Sequence, residues 1–337
     1  MKANSNISEM ANIDTGEIRF APPGADMVAG VPYFANDSRF VESNFSQPLT
    51  IYATGWKDQE NIKATLDFIA PEVPTSRRFE WAKATNAEEW LSESDDVRAI
   101  GSDFKRVEFT ASKVNDKTLN KGLTIRVDED NVNDLPNWRE IYTGRIMRRL
   151  LRNDLRRGIT LLLAAATNTG KTWTYNSSTN QTPDPDLDML NAVAAFGDVA
   201  GQDANRILMG FSAWATRKGA YNALNNAAGY AGAARSAADI ADWVGVEAIR
   251  VSRERYQSSA SAKSRILGSY VVAFMAQDGA TPEDPTSMKR FISPTAGGTP
   301  FKVYEQRISS HLVDISVEHY SKVIVTSTLG IQKLTIS

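Results

Sequence analysis

Two short stretches of this chain carry residue types that do chemistry in other settings. Residues 165–172 read AATNTGKT. The closing Gly170-Lys171-Thr172 matches the end of a phosphate-binding loop, where backbone N–H groups and a lysine hold a nucleotide's phosphates. Ala165 stands where that loop requires its first glycine. The stretch also closes a helical pattern, whereas a phosphate loop follows a strand and opens a helix. Residues 210–214, GFSAW, imitate a nucleophile elbow, with a strand pattern before and a helical one after. Trp214 occupies the last glycine position and would crowd so tight a turn. The only bases on offer, His311 and His319, lie in a strand-rich tail. Ser212 reads better as a helix N-cap. Lys171 reads as an exposed lysine after a helix end, and the histidines as ordinary strand residues. A nucleotide-binding enzyme using Lys171 is the alternative from another class. No catalytic residue, cofactor or metal ligand is assigned.

Composition points the same way. There is no cysteine, so disulfides and thiolate metal sites are excluded, and two histidines argue against a histidine-based zinc site. Lys and Arg number 38 against 40 Asp and Glu, a net charge of −2. That argues against a dedicated nucleic-acid condenser but leaves room for a local basic face. A hydrophobic content of 42% with 23% charged residues describes a soluble globular protein. No signal peptide is read at the N-terminus, and no apolar run is long enough for a membrane span.

The element on which the rest depends lies at 135–166. Met147, Leu150, Leu151, Leu155, Ile159, Leu162, Leu163 and Ala166 keep helical spacing. Arg145, Arg148, Arg149, Arg152 and Arg156 line the other side. Such a rod would span roughly 45 Å. Gly144 and Gly158 predict a possible bend, and Asn168-Thr169-Gly170 a stop. The arginine stripe admits three readings: a solvated face, pairing with acidic segments of a neighbouring subunit, or contact with nucleic-acid phosphates.

Residues 1–50 lack periodicity and carry isolated aromatics, as a disordered arm or one that docks on a neighbour would. A short helix is expected over 58–69. Strand patterns at 79–83 and 105–111 flank an acidic segment with Glu88, Glu89, Trp90, Glu93, Asp95 and Asp96, which describes a long hairpin with a charged tip. Its arms would project on the order of 50 Å. A lone two-stranded hairpin is marginal, and no second sheet in the chain offers itself, so a neighbouring subunit is the expected support. A third strand is read at 119–127. Alternating helix and strand patterns over 185–277, opened by an Asp184 N-cap and Pro185, form an α/β unit. Within it 225–238 reads as a small-residue loop, and Ser236 as the cap of a short helix. Residues 301–336 read as four strands.

This order resembles the major capsid proteins of tailed bacteriophages, the Hong Kong-97-type fold also used by encapsulin shells. The resemblance rests on the arm, short helix and extended loop, then the return strand KGLTIRVDED at 121–130 and the long helix. It continues through NRILMGFSAWAT at 205–216, ILGSYVVAFM at 266–275 and the broken strand pair that ends the chain. It implies an α+β fold with an N-terminal arm (1–50), a short helix region (51–71) and an extended loop (72–127). A peripheral domain would take 128–184 and 298–327, with a spine helix at 135–166; an axial domain would take 185–297 and 328–337. It further implies hexamers and pentamers closing into an icosahedral shell around double-stranded DNA, assembled in the host cytoplasm and located in the virion. Expected partners are other copies of the chain, a separate scaffolding protein, and portal and decoration proteins, with no membrane. Candidate intersubunit contacts are Arg145, Arg149, Arg152 and Arg156 with Glu88, Glu89, Trp90, Glu93, Asp95 and Asp96. An encapsulin-type compartment is the alternative within the fold.

Overall fold

The computed structural model describes residues 42–58, 60–83, 97, 103, 112–174 and 183–337. Its first helix, α1 (Gln47–Gly55), starts with Pro48 in its first turn. Proline suits that place because the N–H it lacks would have no partner there. This helix falls in a stretch without readable periodicity and corrects the expectation of an arm up to residue 50. The short helix α2 (Ile62–Ile69) follows, burying Ile62, Leu66 and Ile69.

Next come β1 (Glu72–Pro74), β2 (Arg78–Lys83), β3 (Ser112–Lys117) and β4 (Leu119–Asp128). β2 and β3 pair antiparallel from Arg78↔Lys117 to Lys83↔Ser112. The expected strand at 105–111 and the acidic tip lie outside the described residues. The sequence led to the expectation that a neighbouring subunit supports the hairpin; its base is instead supported by the chain's own residues. Phe79 stacks on Phe291 with ring centroids 4.3 Å apart, in a small core with Val73, Trp81 and Ala280.

The long helix α3 (Trp138–Ala165) is continuous over 28 residues. Its two internal glycines permit close approach. A Cβ on Gly144 would lie 3.2 Å from Trp56 Nε1, and one on Gly158 would lie 3.2 Å from Ile69 Cδ1. Residues 167–171 form β5 (Thr167–Lys171), so the helix ends because the chain joins a sheet, not at a glycine stop. Then follow α4 (Pro185–Ala200), β6 (Arg206–Gly210), α5 (Phe211–Ala223), α6 (Ala227–Ala234) and α7 (Ala237–Val244). α6 replaces the expected small-residue loop. Asp184 and Ser236 cap α4 and α7 as read, Ser236 in a full capping box with Asp239. The remaining strands are β7 (Ala248–Ser252), β8 (Arg255–Gln257), β9 (Lys263–Arg265), β10 (Tyr270–Phe274), β11 (Met288–Ser293), β12 (Phe301–Arg307), β13 (Leu312–Val325) and β14 (Gln332–Ile336). β13 is one strand of 14 residues where two were expected.

Two five-stranded sheets result. In the first, β13 is central, with β12 and β11 along one side, β4 along the other, and β1 parallel to β11. The second runs β5-β14-β10-β6-β7. The long helix serves both. Its first half, with Ile146, Met147 and Leu150, packs with Leu49 and Ala53 of α1 on Val303, Val313, Ile315 and Val317 of the first sheet. Its second half, with Leu151, Leu155, Ile159 and Leu162, shares a core with α2, α4 and the second sheet.

Candidate assembly interface

The arginine row follows from spacing. Arg145, Arg149, Arg152 and Arg156 recur every three or four residues and so share one side of α3. Arg145 lies over the Tyr142 ring at 4.6 Å, Arg152 pairs with Glu60 at 2.5 Å, and Arg156 lies over Tyr256 at 4.1 Å. Arg149 is exposed and has no ion-pair partner among the described residues. The structure thus brings the four arginines onto one face and commits Arg152 and Arg156 to groups of their own subunit. Glu88, Glu89, Trp90, Glu93, Asp95 and Asp96 lie outside the described residues.

The hairpin base is fixed by charge as well as by packing. Lys322 of β13 donates to both oxygens of Asp116 on β3, each at 2.6 Å. Thr118 and Ser293 share a buried hydroxyl contact at 3.0 Å. Beside it Arg290, almost fully buried, donates to Asp67 and Glu72. These bonds tie α2, β1 and β11 together under the hairpin.

Sequence reasoning missed two deeply buried charge networks. Asp154 sits in the apolar stripe of α3 and is 2% exposed. Lys121 of β4 donates to its Oδ1 at 2.7 Å and Arg157 does so at 3.1 Å. Ser321 donates to Oδ2 at 3.1 Å, and His319 Nε2 lies 3.3 Å from the same oxygen. Burial by itself would raise the Asp154 carboxyl. The hydrogen bond from His319 and the charge of Lys121 outweigh it and hold the group well below the usual carboxylate range. The signal was present: a carboxylate between Leu151 and Leu155 on a stripe that otherwise needs hydrophobes. A second such pair holds the α/β unit. Arg217 is fully buried and donates to both Asp186 oxygens at 2.6 and 2.9 Å, and to Gly232 O at 3.1 Å.

The two chemistry-like stretches dissolve. Lys171 is not free after a helix end: it closes β5, parallel to β14, with Nζ 2.8 Å from Asp188. Its neighbours' backbone is extended and forms no phosphate cradle. Ser212 is not a cap, since Gly210 holds that place and Ser212 lies inside α5. No histidine approaches it: His319 is engaged at Asp154, and His311 sits in the turn before β13, 3.3 Å from Asp130. His311 is therefore not a strand residue. Gly210 is required for another reason, because a Cβ there would stand 1.9 Å from the Gly268 carbonyl. Among the described residues no helix is long and apolar enough to cross a membrane.

No protein-family model and no curated protein matches the chain. Solved structures do. A phage-related protein from Bordetella bronchiseptica RB50 is 16% identical, over 86% of this chain and 96% of that one, with a TM-score of 0.63. A structure from Microbacterium phage Oxtober96 is 12% identical, over 93% and 100%, with a TM-score of 0.50. A subunit of the mature capsid of bacteriophage PhiM1 is 11% identical, over 84% and 89%, with a TM-score of 0.45. The chain has the Hong Kong-97-type fold.

Proposed function

We propose that this chain is the major subunit of an icosahedral shell, built from hexamers and pentamers of itself around double-stranded DNA. The observation that supports this best is the fold, shared with a phage-related protein over nearly its whole length. The layout agrees with it. A long helix joins two sheets, and β2 and β3 form a fixed hairpin base on either side of residues 84–111 in the sequence. The acidic and apolar residues of that segment, Trp90 among them, suit a polar rim around a small contact on the next subunit. The virion is the place of such a shell. A scaffolding protein, a portal and decoration proteins are its partners during assembly. The reading gives the chain no reaction of its own.

Light scattering and electron microscopy of the purified protein, alone and with its scaffolding protein, test this. Closed particles holding nuclease-resistant DNA are expected. Particles holding a packaged enzyme instead would make it a compartment of the encapsulin type. A stable monomer of 37.0 kDa under all conditions refutes the shell.

A further inference from the structure

The whole chain carries a net charge of −2, yet one face is strongly cationic. The row Arg145, Arg149, Arg152, Arg156 runs about 16 Å along α3 at 1.5 Å per residue. The β8–β9 ribbon extends it, because Tyr256 lies under the Arg156 guanidinium at 4.1 Å. The ribbon adds Arg255, Lys263 and Arg265, with Arg253 just before it. Arg255 and Arg265 are direct cross-strand partners. Like charges so placed repel and destabilise a ribbon. None of these four cations pairs with a carboxylate among the described residues. Arg253 and Arg265 instead flank the Phe211 ring, at 5.1 and 4.5 Å. The acids nearby are already engaged: Glu60 by Arg152, and Glu254 by the hydroxyls of Thr65 and Ser252.

Opposed cations without an internal answer suit an anion supplied from outside. A protein partner would call for an apolar centre to the contact. Among the described residues no exposed large apolar side chain is on the ribbon; Ile141 and Leu161 are exposed on α3 beyond the two ends of the row, and Leu187, Val199, Tyr230 and Trp243 lie on α4, α6 and α7. What surrounds the cations is polar and small: Asn153, Thr160, Ser258 and Ser259 are exposed. That setting offers charge without groups aimed to read bases. We propose that Arg145, Arg149 and Arg156 of α3, with the β8–β9 ribbon, bind the phosphate backbone of double-stranded DNA without sequence preference; Arg152 stays paired with Glu60. This face is then the side of the subunit turned toward the contents of the shell, an assignment that rests on the shell reading above.

The test is fluorescence anisotropy of unassembled protein with labelled duplexes of two unrelated sequences. Equal affinity for both is expected, falling about a hundred-fold between roughly 50 and 200 mM salt if some four phosphates are neutralised. The double variant Arg255→Gln/Lys263→Gln removes two exposed cations. It should bind at least tenfold more weakly at low salt, with the slope of log affinity against log salt reduced by about 2. Arg149→Gln should reduce that slope by about 1. Circular dichroism checks that both variants fold. Parent protein that ignores duplex DNA, or variants with parental affinity and slope, overturn the proposal. So does a peptide of residues 84–96 that binds this face more tightly than DNA, which would give the face to a neighbouring copy. Electron microscopy of the same samples separates the two readings. If the parent makes no shells, the shell reading fails whatever the duplex does; if shells form and the substitutions change nothing, only this face is wrongly assigned.

Discussion

Replacing Asp154 by asparagine tests whether the joint between α3 and the first sheet is electrostatic. The side chain keeps its size and loses its charge, which leaves the Lys121 ammonium buried without its counter-ion. At 2.7 Å and an effective dielectric of about 20, the gross attraction is on the order of 6 kcal/mol. Desolvation of both ions takes back much of that, but the variant keeps the burial of Lys121 and loses the attraction. The expected loss is therefore about 3–5 kcal/mol. Adding Lys121→Met to Asp154→Asn removes the stranded cation and should recover most of the loss. The pH dependence carries its own sign. The folded carboxyl titrates below its unfolded value of about 3.9, so the unfolded chain binds more protons in that range. Its contribution is whole above about pH 5 and fades as pH falls through 4 toward the folded pKa, and Asp154→Asn should lack this part of the acid sensitivity. Urea unfolding followed by circular dichroism, at neutral pH and near pH 3, reads both effects. It must use unassembled subunits, since assembly adds stability of its own. A single variant within about 1 kcal/mol of the parent, or a double variant no better than the single, refutes the reasoning.

Leu155→Asp should prevent folding: Leu155 is fully buried, and an unpaired carboxylate there costs more than ~4 kcal/mol, so soluble, normally assembling protein would contradict its place in the core. Gly210→Ala should be nearly as damaging, since the new Cβ meets backbone and not a movable side chain; a melting temperature within a few degrees of the parent would show that the β6–α5 junction yields. Lys171→Ala removes a half-exposed pair with Asp188 and should cost under about 1 kcal/mol, with shells unchanged; ATP binding by the parent that this change abolishes would revive the enzyme alternative. Replacing residues 84–111 by Asn-Gly joins Lys83 to Ser112, which already face each other, by a turn that suits a two-residue hairpin. That subunit should fold with parental stability and fail to make stable shells, and normal particles under the electron microscope would show that the segment is not a strap.

How much of this was legible depended on whether the deciding contact was local. The long helix declared itself because its apolar and cationic residues separate cleanly at helical spacing. The caps at Asp184 and Ser236 were legible for the same reason, since cap and capped N–H lie within three residues. The end of α3 was not. Asn168-Thr169-Gly170 reads locally as a stop, but the segment is claimed by β14, far along the chain. α6 was missed because Gly229 and Gly232 weaken a helical reading. Packing requires them, since a Cβ on Gly232 would stand 2.8 Å from the Tyr221 ring. β4 was read as a strand, but its partner β13 could not be named, and so the base of the loop looked unsupported. Asp154 was passed over because a stripe is recognised by its hydrophobes, and the one residue that breaks it found its partners on β4 and β13.

The same buried contacts govern how the hairpin is held. Asp154 and Lys121 fix β4 to the long helix, and Lys322 with Asp116 fixes β3 to β13. Phe79 on Phe291 fixes β2 from the other side. Every strand that leads into or out of residues 84–111 is thus held by the subunit's own sheet. A contact that this segment made on a neighbour, as proposed, would therefore be transmitted to β11, β13 and α3, not absorbed at a loose hinge. Small gains at each such contact repeat at every copy and add across the particle. This is why the shortened hairpin should leave the fold intact and still cost the shell: the base stabilises the subunit, and on the proposed strap role residues 84–111 would stabilise only the assembly.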